Sequence, residues 1–147
     1  MISTEDIVAE ARRWIGTPYC HQASTLGAGA DCLGLVRGVW RGLIGDEPEV
    51  VPAYTADWSE ASGQEVLLGA ASRWLSPKIK GSGAIGDVLV FRMRRTGVAK
   101  HLGFASCRDG VPTFIHSYTD HGVIETALSS PWQRKIVARF EFPRGVI

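Results

Sequence analysis

The chain has 147 residues, 45% of them apolar, which suits one compact domain spanning residues 1–147 with a core that needs no cross-links. Sixteen basic and fifteen acidic side chains leave a net charge of +1, which gives no reason to invoke the basic face that binding phosphates would need, and a nucleic-acid partner is not expected. Three cysteines, Cys20, Cys32 and Cys107, form no CxxC pair, and their odd number argues against a disulfide framework.

The opening MISTEDIVAEARRW lacks the basic start and apolar centre of a secretion signal, and no apolar run reaches the length of a membrane span. The expectation is a chain made in the cytoplasm without a signal peptide. Ser3 or Thr4 caps a first helix, with Ser3 and Asp6 as a capping box; Ile7, Ala11, Trp14 and Ile15 mark its buried side and Gly16 its stop. Thr17 to Ala30 is too rich in Gly, Ala, Ser and Thr for regular structure. A loop leading into a helix is a common place for binding residues, which draws attention to Tyr19, Cys20 and His21.

The next stretch, Asp31 to Ile44, organises the rest. Cys32, Leu35, Val36, Val39, Trp40, Leu43 and Ile44 recur at the spacing of one helical face and predict a buried stripe. Asp31 is a good N-cap, so Cys32 stands in the first turn, where the positive end of the helix dipole favours thiolate over thiol. Cysteine is also a common small core residue, and position alone does not separate the two readings. Gly34, Gly38 and Gly42 fall four apart although each costs a helix about 1 kcal/mol relative to alanine, so another backbone is expected close by, a sheet lying flat against this helix.

Gly45 to Trp58 carries Pro48 and Pro52 and reads as extended. Asp57 and Glu60 resemble an N-cap and its partner for a helix through Val66, Leu67, Ala70, Ala71, Trp74 and Leu75, ended by Pro77. From there the period becomes that of strands: Val88 to Met93, Leu102 to Cys107, Thr113 to Tyr118, Val123 to Thr126 and Ile136 to Phe142, with turns at Thr96–Gly97, Asp109–Gly110 and Asp120–Gly122. Helices first and an antiparallel sheet of about five to six strands afterwards make the fold class α+β. Arg92, Arg94 and Arg95 read as a solvated hairpin end.

His101 begins the second of these strands and His116 lies in the third. A hairpin about Arg108 to Gly110 brings them to the same end of one ladder, so a thiol, a base and a group to orient that base are all available. His21 and His121 have no such context. A zinc site built from Cys20 and His21 lacks a supporting ligand spacing, and neither metal nor cofactor is expected.

Five blocks carry a resemblance: GTPY at Gly16 to Tyr19, DCLGLV at Asp31 to Val36, GDVLVF at Gly86 to Phe91, HLGF at His101 to Phe104 and FIHS at Phe114 to Ser117. In this order they resemble the NlpC-type cell-wall cysteine peptidases, and the match covers nearly the whole chain. The resemblance implies a papain-like NlpC-type fold and hydrolysis of amide bonds in peptidoglycan stem peptides, often between γ-D-glutamate and diaminopimelate. It makes Cys32 the nucleophile, His101 the base and His116 the residue that orients it. Tyr19 and Asp31 fall where the family lines the site and grips the substrate amine, and the order cysteine, histidine, histidine favours peptidases over permuted acyltransferases.

Leu33 stands where the family usually has serine. Leu33, the VRGVW continuation and the PAYTADW segment at Pro52 to Trp58 look most like the versions borne on the tails of phages and gene transfer agents, which implies phage-like tail proteins as partners and a tail that delivers the enzyme to the target wall. The alternatives are an idle structural tail adaptor of the same fold and an amidase or transferase acting on another substrate.

Overall fold

The structure, a computed structural model, describes residues 1–55, 58, 63–79 and 83–144. Helix α1 (Thr4–Arg13) is followed by a small two-stranded ladder, β1 (Ser24–Thr25) with β2 (Gly29–Ala30), then α2 (Cys32–Leu43) and α3 (Val66–Trp74). Strands β3 (Ser76–Pro77), β4 (Val88–Arg92), β5 (Ala99–Arg108), β6 (Val111–Tyr118), β7 (Gly122–Ala127) and β8 (Ile136–Glu141) complete the chain, with a single-turn α4 (Ser130–Gln133) before the last. The six form one antiparallel sheet in the order β3-β8-β4-β5-β6-β7. The architecture is α+β as expected, with β3, α4 and the β1–β2 ladder beyond what periodicity showed.

The capping box at α1 is present: Ser3 Oγ accepts from the Asp6 amide at 3.0 Å while Asp6 accepts from the Ser3 amide at 2.9 Å. The helix ends at Arg13, so Ile15 falls in the following turn and is 40% exposed rather than buried. In α2 the stripe holds through Val39 and then fails. Trp40 and Leu43 are half-buried, and Ile44, now the C-cap, is 41% exposed, because the last turn runs past the edge of the core. Asp57 and Glu60 lie outside the described residues. The helix after them starts at Val66, and Pro77 sits on the edge strand β3, where a missing N–H is tolerated.

The glycine row on α2 does face close neighbours, though not the sheet. A Cβ on Gly34 would lie 1.8 Å from the Ala23 carbonyl, one on Gly38 2.0 Å from the Trp14 ring, and one on Gly42 2.7 Å from Glu10. The row is therefore the seat of α1 and of the loop before β1. The apolar stripe of α2 instead meets Leu102, Phe104 and Ile115 on one face of the sheet, forming the main core.

A second, smaller core of Leu89, Phe91, Ala105 and Phe114 covers the other face, roofed by Trp132. The hairpin turn at Asp109 and Gly110 has positive φ at both residues, which matches a two-residue connection between paired strands. Glu125 ties α1 to the sheet: it accepts from Arg12 at 3.1 and 3.0 Å, from Arg108 at 2.7 Å and from Thr113 at 2.7 Å. Burial alone would raise this carboxyl, but those donors hold it down to about 2. Arg92, read as solvated, instead bonds Glu65 at the start of α3 at 2.6 Å.

Adding a methyl to a helical glycine normally stabilises by up to about 1 kcal/mol. At Gly38 the overlap with Trp14 wins, and Gly38→Ala is expected to destabilise by about 1–3 kcal/mol in urea unfolding. Gly69→Ala in α3, where nothing lies within 4 Å of the added carbon, should be neutral or stabilising, and equal effects at the two sites would contradict this packing.

Candidate active site

Three pieces of chain converge where β5 and β6 part. Their ladder runs from Arg108↔Val111 to Phe104↔Ile115, stopping short of His101, and the start of α2 enters the opening. Asp31 sets that start. One carboxylate oxygen accepts from the Gly34 amide at 2.7 Å, and the other from the Gln22 amide at 2.6 Å and from the Tyr54 hydroxyl. Cys32 follows, 6% exposed, its thiol donating to the Lys100 carbonyl at 3.8 Å beside His101. Ser117 Oγ donates to the Ala30 carbonyl at 2.7 Å and fastens the helix approach to β6.

His101 pairs with Phe91 of β4, so its ring belongs to the sheet face of the smaller core, opposite the face on which α2 packs. A flat sheet would keep thiol and imidazole apart; the parting of the strands lets both line one cavity of about 240 Å³, together with Tyr19, His21, Asp31, Tyr54 and Tyr118. His101 Nε2 lies 2.6 Å from His116 Nδ1, and His116 Nε2 lies 2.8 Å from Thr126 Oγ1. Gly103, on the same face between the two histidines, is required there, since a Cβ would meet the Phe114 ring at 2.9 Å and His116 Cβ at 3.2 Å.

The rings are embedded in aromatic surface. Phe114 stacks on His116 at 4.0 Å, Phe91 lies 5.6 Å from His101, and Trp132 approaches the two histidines at 5.9 and 5.4 Å. Burial pushes His101 down to about 4 and His116 lower still, with the neighbouring His101 adding to the second shift. Burial likewise pushes the Cys32 thiol up to about 12, reinforced by the Asp31 charge, although the amides of Leu102, Leu33 and Cys32 pull the other way. Burial thus works against the thiolate that the helix dipole favours and against a charged His101 alike.

Cys32, His101, His116, Tyr19 and Asp31 thus gather at one place. Tyr19 is half-buried, its hydroxyl pushed up by burial despite a hydrogen bond with Thr119. His21, marked in the sequence only by its place in the loop before α2, also lines the cavity, with Nε2 2.9 Å from the Tyr54 carbonyl. Cys20 is exposed and packs over Gly29, away from the cavity. Leu33 points into a separate apolar cleft of about 230 Å³ that shares Tyr54 and Trp58 with the cavity. Sequence reasoning missed Tyr54, stacked on Trp58 at 4.1 Å, though the aromatics of PAYTADW were a usable signal. Nothing marked Thr126 or Trp132. Among the described residues no three His, Cys, Asp or Glu side chains converge on a metal position, and no helix is long and apolar enough to cross a membrane.

No protein-family model and no curated protein matches the sequence. Solved structures do match the fold. An NLP/P60 family protein described as similar to lipoprotein, from Staphylococcus aureus, superposes with a TM-score of 0.60 at 17% identity, over 97% of this chain and 42% of its own. An NlpC/P60 family protein from Bacillus cereus gives 0.63 at 18% identity, over 95% and 40%. Ly7917 gives 0.56 at 13% identity, over 97% and 63%. The chain has the papain-like α+β fold of the NlpC/P60 proteins and spans about two fifths of the length of the first two.

Both buried histidines carry folded pKa values below the ordinary 6.5, so between about pH 6.5 and 4 the unfolded chain takes up protons that the folded chain refuses. Stability then falls on acidification, by about 1.4 kcal/mol per pH unit for each histidine at most. Urea midpoints measured at pH 7 and pH 5 should drop accordingly, and His116→Asn should reduce the slope. A flat profile across that window would contradict the buried neutral pair.

Proposed function

We propose that the chain is a cysteine endopeptidase of the bacterial cell wall, hydrolysing an amide bond in peptidoglycan stem peptides. The observation that carries this reading is the shared cavity: a capped helix-start thiol and an imidazole whose far nitrogen is 2.6 Å from a second imidazole. His101 Nε2 is taken by His116, which leaves Nδ1 to serve Cys32. As Cys32 Sγ attacks the carbonyl carbon, His101 accepts the thiol proton, and the oxyanion develops beside the backbone N–H of Cys32 at the start of α2. His101 then protonates the leaving amine. Water, deprotonated by His101, releases the acyl group and restores the thiol.

Burial opposes charge on both thiol and imidazole, so an ion pair between them is costly before substrate arrives, and in this reading charge develops as the oxyanion forms. The bond between γ-D-glutamate and diaminopimelate is the proposed target, on the strength of the block resemblance. Asp31 is already engaged by three donors, so its share in holding a substrate amine depends on displacing the Tyr54 hydroxyl. Leu33, VRGVW and PAYTADW support a place in a phage-like or gene-transfer-agent tail, which would carry the enzyme to the wall of the target cell. A second reading, an idle tail adaptor, is favoured by the 6% exposure of Cys32.

Incubation of the chain with purified peptidoglycan, followed by mass analysis of the released muropeptides, separates the two. Cleavage at a stem-peptide amide, lost by at least about a thousandfold in Cys32→Ala and in His101→Ala with folding retained, is the expected result. Equal cleavage by Cys32→Ala and the parent would refute the mechanism, and no cleavage by either would favour the adaptor.

A further inference from the structure

The hydrogen-bonded line that runs from His101, in the cavity shared with Cys32, does not stop at His116. His116 Nε2 lies 2.8 Å from Thr126 Oγ1, on β7, one strand further from the cavity. In the ladder His116 faces Ile124, so Thr126 is two positions along on the same side and diagonal to the imidazole. His116 is fully buried under Phe114 and Trp132, which leaves its outer nitrogen no water to turn to.

The proton positions along this line follow from one requirement. To take the thiol proton, His101 must present a lone pair at Nδ1, so its own proton sits on Nε2 and is donated to His116 Nδ1. His116 Nδ1 is then an acceptor, and its proton sits on Nε2. That N–H must be accepted by Thr126 Oγ1. The opposite order would put a proton on His101 Nδ1 and leave the thiol with no base. A hydroxyl is compatible with either direction, whereas a methyl group in its place accepts nothing and tips both imidazoles into the unproductive order.

Resting on the peptidase reading, we infer that Thr126 is a positioning residue, the fourth member of the line Cys32–His101–His116–Thr126, which fixes the tautomers of both histidines so that Nδ1 of His101 faces the thiol unprotonated. It touches no substrate and acts through His116. Its role is distinct from fold support, since Thr126 is half-exposed on a strand already paired along its length with β6.

The experiment is nitrogen-15 NMR of the histidine side chains in the full chain at pH 7, for the parent, Thr126→Val and Thr126→Ser. The parent should show His101 and His116 both protonated on Nε2. Thr126→Val should move both protons to Nδ1, and Thr126→Ser should restore the parental pattern. With peptidoglycan fragments as substrate, Thr126→Val should lower kcat at least about tenfold with KM changed by less than about twofold, and Thr126→Ser should recover most of the rate. Parental tautomers of the opposite sense, or tautomers unchanged in a folded Thr126→Val, overturn the inference, whether or not the chain cleaves peptidoglycan. Failure of the parent to cleave would remove the proposed function alone, because the tautomers are read without substrate.

Discussion

The cavity that Cys32 and His101 share depends on where β5 and β6 separate. Had their ladder continued past Phe104↔Ile115, β6 would pair with the main-chain groups of Lys100 and Leu102 that the Cys32 sulfur meets, and α2 would have no opening to enter. The separation is held from both sides. On one side Asp31, Ala23 and Ser117 fasten the helix start and the loop before it; on the other Phe91, Phe114 and Trp132 grip the imidazoles. Further out, Glu125 locks α1 to β5, β6 and β7, and α1 in turn seats α2 through Trp14 and Gly38. The site is a consequence of how two helices are fixed against a sheet that opens at one end.

Burial then decides the charge state. A helix start favours an anion by about 0.3–1 kcal/mol, up to about 2 when partly buried. Moving the Cys32 thiol from 9.0 to about 12 corresponds to roughly 4 kcal/mol in the other direction, and desolvation is the largest cause. The dipole therefore loses, and the same desolvation that keeps the thiol protonated keeps His101 unprotonated. The Asp31 carboxylate contributes by aiming the helix, at the expense of a small upward push on the thiol it aims.

Much of this was legible in the sequence because the signals were local. The capping box of Ser3 and Asp6, the Asp31 cap, the apolar run of Val88 to Phe91 and the Asp109–Gly110 turn each act within a few residues, and each stands where it was expected. The five ordered blocks carried the fold. What periodicity could not carry was long-range: which element would fill the glycine row of α2, that His101 on the opposite sheet face would line the same cavity as the thiol, and that Tyr54 and Thr126 would complete networks begun elsewhere. The push of burial against the thiolate was illegible for the same reason, since the dipole acts at the helix start and burial is a property of the whole fold.

The account stands on chemical communication between Cys32 and His101, and a small thiol reagent reads it directly. Chloroacetamide alkylation of the three cysteines, followed by peptide mass analysis from pH 5 to 8, carries its own controls because Cys20 and Cys107 are exposed. The account predicts that His101→Gln slows alkylation of Cys32 by at least about tenfold while leaving Cys20 and Cys107 unchanged. A Cys32 rate that is the same with and without the imidazole would contradict it.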